Sequence, residues 1–112
     1  MAKTFGDKLR TLRINNNFGF NEFWKTAKIS KVYLSAIENG SQIPPPPERQ
    51  SKFLEIIETK GKISEKDRNE YYDLAARERK EFPADVLTYY SKNEKIIIEI
   101  RKLIREKKNE KK

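Results

Sequence analysis

The chain has 112 residues, 38% charged and 36% apolar, and its 25 Lys and Arg outnumber 17 Asp and Glu to leave a net charge of +8. At that length the burial available supports one small core inside a charged shell, and two full domains are not expected. The chain contains no Cys and no His, which removes disulfides, thiolate and imidazole metal sites and every nucleophile that relies on a His base; neither an enzyme nor a cofactor is expected.

A basic chain suits a polyanion such as nucleic acid, and an anionic membrane surface as well. The distribution of charge says more. Residues 1–40 carry seven basic and three acidic groups, residues 64–91 carry five and seven, and residues 92–112 carry nine and four. The opening MAKTFGDKLR lacks the apolar run of a signal peptide, and no segment approaches the roughly 20 apolar residues that span a bilayer. A soluble, cytoplasmic protein without a membrane role is expected. One Trp, six Phe and five Tyr give it the bulk for a core.

Thr4 can cap a first helix whose Phe5, Leu9 and Leu12 recur at i, i+4 and i+7, and Asn15-Asn16-Asn17 stops it. A second, short helix begins near Gly19 with Phe20, Phe23, Trp24 and Ala27 on one side, and Trp24 is assigned to the core. Ser30 caps a third, which turns Leu34 and Ile37 inward and leaves Lys31, Val32, Ser35 and Ala36 on other faces; Gly40 ends it. Pro44 to Pro47 form a stiff turn and forbid helix until Pro47, which fits the first turn of a fourth helix carrying Phe53, Leu54, Ile56 and Ile57 to about Gly61.

Ser64 and Asp67 make a capping arrangement for a fifth helix with Tyr71, Leu74 and Ala75, and PADVLTYY after Pro83 forms a short sixth with Val86, Leu87 and Tyr90 as its apolar side. Asn93 caps a last helix whose Ile96, Ile97, Ile100, Leu103 and Ile104 make a wide stripe for packing within the chain or across a dimer. REKKNEKK beyond it has nothing to bury and is expected to fray. No alternating strand pattern and no internal repeat is found. The fold class expected is all-α.

Two short helices joined by a tight turn, the second with small and polar residues outside its apolar positions, fit a helix-turn-helix, whose second helix enters the major groove. The same spacing fits any helical bundle, in which Lys31, Val32, Ser35 and Ala36 are a plain solvated face. The wording is more specific: FGDKLRTLR, NEFWKTAKIS, KVYLSAIENG and PPPPE, ungapped from Phe5 to about Glu48, resemble the XRE family of Cro and phage-repressor regulators, and YLSAIENG carries most of the likeness. The resemblance implies a lambda-repressor-like helix-turn-helix bundle of four to five helices with a C-terminal helical extension.

It further implies that Arg13 and Glu38 form a structural ion pair between the first and third helices. Lys31, Val32, Ser35 and Ala36 are then the residues that read base edges, and Lys28, Ser30, Tyr33, Asn39 and the backbone of Ser41 take phosphate. Tyr33 serves packing equally well. The chain departs from the family pattern at three places: Phe20 stands where a polar residue touches phosphate, Trp24 where a small residue is preferred, and Lys28 where Gly is preferred in the turn. Residues 41–47 contain no cation, so backbone contacts fall to amides and to Lys3, Lys25, Lys28 and Lys31.

The organisation expected is a DNA-binding unit at 1–61, a helical extension for dimer or partner contacts at 62–104, and a disordered basic tail at 105–112. The function expected is sequence-specific transcriptional regulation, as a repressor that binds a pseudo-palindromic operator in double-stranded DNA as a homodimer. The alternative is an antitoxin or anti-repressor module that binds a protein partner such as a toxin through 64–90. Asp67, Glu70 and Asp73, the remaining carboxylate grouping, fall at the spacing of one solvated helix face.

Overall fold

The structure, a computed structural model, describes residues 3–93 and 95–110, with side chains through Lys107. Among them are seven helices and no strand: α1 (Phe5–Asn15), α2 (Phe20–Thr26), α3 (Lys31–Asn39), α4 (Pro47–Glu58), α5 (Glu65–Arg79), α6 (Ala84–Lys92) and α7 (Lys95–Glu110). Their starts follow from local chemistry. The side-chain oxygens of Thr4, Ser30 and Ser64 accept from the amides of Asp7, Tyr33 and Asp67, each satisfying a donor that the first helical turn leaves open. Pro47 occupies the first position of α4, where its missing N–H costs nothing.

The first three helices stop in left-handed closures. After α1, Asn17 sits at φ 57° while the amide of Phe18 returns to the Arg13 carbonyl; after α2, Lys28 sits at φ 58° and the amide of Ile29 returns to the Trp24 carbonyl. Gly40 closes α3 at φ 84°, a conformation free of strain for a residue without Cβ.

One core joins the first six helices. Phe5, Leu9 and Leu12 of α1 meet Phe23 of α2, Leu34 and Ile37 of α3, Phe53, Leu54, Ile56 and Ile57 of α4, and Tyr71, Tyr72, Leu74 and Ala75 of α5, with Ala84 of α6 at its edge. Each of these large side chains contributes about 1.5–3 kcal/mol on burial, before the entropy of ordering the chain is subtracted. The ring of Phe5 lies 4.8 Å from that of Tyr71, and Phe23 makes edge contacts with Phe18 at 5.4 Å and Phe53 at 5.3 Å. Gly6 lets α1 approach α3 closely, since a Cβ there would stand 2.3 Å from the Ile37 carbonyl oxygen and 2.7 Å from that of Glu38.

The boundary expected at 61/62 does not coincide with a break in packing, because α5 belongs to the same core. Polar ties fasten it to α1 at both ends: the Phe5 amide donates to Glu78 at 2.6 Å, and the buried Lys8 ammonium meets Asp67 at 2.8 Å and Glu70 at 3.5 Å. Asp67 and Glu70 are therefore half-buried partners of Lys8, and the solvated face expected of Asp67, Glu70 and Asp73 is kept by Asp73 alone. The Lys8 hydrogen bond, the largest influence on Asp67, lowers its carboxyl below the ordinary 3.8.

The proline segment is clamped as well. Pro44 and Pro45 are buried, and their carbonyls, which no helix can satisfy, accept from Arg79 at 2.9 Å and Gln50 at 2.8 Å. Tyr71 donates to the Gln50 carbonyl at 2.7 Å. Burial pushes the Tyr71 hydroxyl well above its usual titration range, so this bond keeps its proton.

Three expectations change. Trp24 lies half-buried at the rim of the core, its indole N–H donating to Asn21 at 3.0 Å; a short helix cannot sink both Phe23 and its larger neighbour into the same volume. The apolar side of α6 is largely uncovered, with Val86 and Tyr90 exposed. Helical bonding in α7 continues to Glu110, through residues 105–110 where fraying is expected, since Arg, Glu and Lys are themselves good helix formers; Lys111 and Lys112 lie outside the described residues.

Candidate nucleic-acid interface

Helix α3 has two sides of opposite character. Inward, Leu34 and Ile37 are buried, and Glu38 receives the Arg13 guanidinium through two parallel bonds, Nε to Oε2 at 2.9 Å and Nη2 to Oε1 at 3.0 Å. A third guanidinium N–H donates to the Phe18 carbonyl at 2.9 Å. The two side chains are 7% and 9% exposed, and the Phe20 ring lies 5.5 Å from the guanidinium carbon. Phe20 thus covers the pair and lowers the dielectric around it. This two-pronged contact fixes the roll of α3 about its axis.

Outward, Lys31, Val32, Ser35, Ala36, Asn39 and Ser41 line one shallow concavity. Positions 31, 32, 35, 36 and 39 recur at the spacing of a single helical face, so the fold that buries Leu34 and Ile37 necessarily presents them. Val32, a large apolar side chain, is 78% exposed. Ala36 is half-buried at the foot of this face.

The residues expected at phosphate divide. Lys28 is exposed in the turn before α3. Ser30 accepts from the Tyr33 amide at 3.0 Å, so its oxygen serves the helix first, while its hydroxyl proton remains free to donate. Tyr33 packs its ring against the core and carries the Arg49 guanidinium 5.5 Å above it. The Ser41 amide, expected to grip phosphate, donates instead to Asn39 Oδ1 at 2.9 Å. This turn closes on itself, and the outward donor it offers is the Asn39 side-chain amide.

Three cations flank α3 that sequence reasoning does not bring there. Arg10 of α1 shares a groove with Ser35 and Asn39, on the side of the Arg13–Glu38 pair. On the other side Arg49 covers Tyr33, and Arg49 and Lys52 of α4 line a hollow with Ala27, beside the turn that carries Lys28. The missing cation of the 41–47 loop is thus replaced from the next helix. Its signal is present in ERQSK but is legible only once the register of α4 against α3 is known.

No group of three or more His, Cys, Asp or Glu among the described residues is placed to hold a metal ion, and no described helix is long and apolar enough to cross a membrane. Compared with models of protein families, with curated proteins and with solved structures, the chain matches none.

Proposed function

We propose that this chain is a sequence-specific DNA-binding transcriptional regulator, a repressor of the XRE type with a lambda-repressor-like helix-turn-helix, acting as a homodimer on a pseudo-palindromic operator. The observation that carries this reading is the two-sidedness of α3: a clamped inner face, and an outer face of small, polar and apolar side chains bordered by cations. Lys31 suits guanine O6 and N7, Ser35 can donate or accept at several bases, and Val32 and Ala36 suit the thymine methyl. Lys28, Arg10, Arg49, Lys52 and the Asn39 amide serve the two phosphate walls. In a dimer two such helices enter successive major grooves about 34 Å apart.

The competing reading, a module that grips a protein such as a toxin through 64–90, loses much of its surface. Tyr71, Tyr72 and Leu74 are core, which leaves Phe82, Val86, Tyr89 and Tyr90 as the exposed apolar side chains of that segment. Binding of the full chain to DNA from upstream of its own gene, against scrambled DNA at about 50 and 200 mM salt, separates the two. The regulator reading expects a preference of about a thousandfold or more that survives the higher salt. Equal affinities that vanish together would overturn it.

A further inference from the structure

We infer that Tyr33 is a positioning residue of the candidate interface: its ring is the platform that holds the Arg49 guanidinium at the rim of the outer face of α3, turned to a DNA phosphate. This rests on the DNA-binding reading above and adds to it a residue that itself touches neither base nor phosphate.

At 3.6 residues per turn Tyr33 lies about 40° from buried Ile37 on one side and about 60° from Ala36 on the other. It therefore stands on the border between the clamped face of α3 and the face offered to the groove. Its ring is half-buried against the core, and the Arg49 guanidinium carbon lies 5.5 Å from the ring centre. The two residues come from different helices, so the stack ties the first turn of α4 to the first turn of α3. The backbone leading to Arg49 is held too, since Pro44 and Pro45 are buried and their carbonyls are taken by Arg79 and Gln50. The ring then restricts what freedom is left, that of a long side chain, before any ligand arrives.

The charge of Arg49 is not neutralised by this arrangement. Three other cations pack on aromatic faces. Arg13 over Phe20 is bonded to Glu38, and Lys60 over Phe18 is bonded to Glu22. Lys25 over Trp24 joins neighbours in sequence and connects no two helices. Among the described residues the Arg49 side chain makes no hydrogen bond and no ion pair, although Glu48 lines the same hollow. A ring engages a guanidinium through one face and leaves its N–H edge free, and that edge is the part that meets phosphate. Exposed Lys52, one turn further along α4, extends the same positive rim.

Fluorescence anisotropy of the full chain on scrambled duplex and on DNA from upstream of its own gene, at several salt concentrations, provides the test. A cation held on an aromatic face at an exposed site corresponds to about two- to fivefold in affinity. Tyr33→Leu should weaken binding to both duplexes alike by that factor, and Tyr33→Phe, which keeps the ring face, should restore the loss. Arg49→Gln should lower the salt slope by up to about 0.9 on either duplex. In that background Tyr33→Leu should have no further effect, whereas a ring that only supports the fold would weaken binding equally with or without Arg49. Equal affinities for the two duplexes would overturn the regulator reading and leave this test standing, because a phosphate contact needs no preferred sequence. Tyr33→Phe as weak as Tyr33→Leu would make the hydroxyl itself the phosphate contact. That result, an undiminished effect of Tyr33→Leu beside Arg49→Gln, or no binding to either duplex would each overturn the inference.

Discussion

Replacing Glu38 with Ala removes both acceptors of the Arg13 guanidinium. What remains is a cation on a side chain 7% exposed, held by one carbonyl at 2.9 Å and covered by the Phe20 ring. Breaking one half of a buried pair costs about 3–5 kcal/mol, because the surviving charge must be rehydrated or driven out of its site. Arg13 has a long side chain near the rim, so the lower end applies, about 3 kcal/mol. At about 4 °C per kcal/mol for a chain of this size, the melting temperature should fall by about 12 °C. The double change Arg13→Met with Glu38→Leu removes charge and acceptors together and should recover most of that loss. Thermal melts by far-UV circular dichroism, with urea melts for the free energy, give both values. A single-variant loss under about 1 kcal/mol, which is what an exposed pair contributes, would refute the reasoning; so would a double variant no more stable than the single.

At the outer face, Lys31→Ala combined with Ser35→Ala should cut discrimination between operator and scrambled DNA by about 1–3 kcal/mol per lost contact, with little change in melting temperature because both side chains are exposed; fluorescence anisotropy titrations on both duplexes measure it. Lys28 and Lys80 hold φ 58° against the preference of a residue with a Cβ, so Gly at either position should stabilise the fold by about 1 kcal/mol. Lys28→Gly alone should also lower the salt slope of DNA binding by up to about 0.9, whereas a slope lowered equally by Lys80→Gly would contradict the assignment of the interface. Asp67, whose carboxyl is lowered by Lys8, contributes stability that is present above the unfolded value near 3.8 and is lost as pH falls through the lower folded value. Urea melts from about pH 2.5 to 6 should show Asp67→Asn less stable than wild type at the upper end and converging with it at the lower.

Much of the helical skeleton was legible because its punctuation is local. Thr4, Ser30, Ser64, Pro47 and Gly40 each act within one turn of themselves, and a capping hydroxyl or a missing Cβ needs no distant partner to have its effect. Periodicity likewise told that Leu34 and Ile37 face inward. It did not tell what lies opposite an apolar face, which is why α5 read as an extension although Tyr71 packs on Phe5 at 4.8 Å. The burial of Lys8 has no local signal for the same reason: a lysine in a basic first helix reads as surface until Asp67 and Glu70 arrive from 59 and 62 positions away. Arg10, Arg49 and Lys52 joined the candidate interface only through the packing of α1 and α4 around α3, an arrangement with no signature in any one segment.

Trp24 and Lys28 are two of the three residues that depart from the pattern of the regulators this sequence resembles, and both lie where α2 leads into α3. The turn between α2 and α3 needs one residue with positive φ so that the amides of Lys28 and Ile29 can return to the carbonyls of Lys25 and Trp24. Glycine would meet that need without strain; Lys28 meets it at φ 58°. The substitution therefore leaves the closure of the turn intact and takes its cost, about 1–2 kcal/mol, from stability instead. Trp24 belongs to the same closure, because its carbonyl receives the Ile29 amide, and its indole lies at the rim without wedging between the helices. With the turn closed at one end of α3 and Arg13 holding Glu38 at the other, the helix is fixed at both ends. The departures thus load onto fold stability rather than onto the aim of Lys31, Val32, Ser35 and Ala36, and that is why Lys28→Gly separates the two quantities that a splayed turn would have changed together.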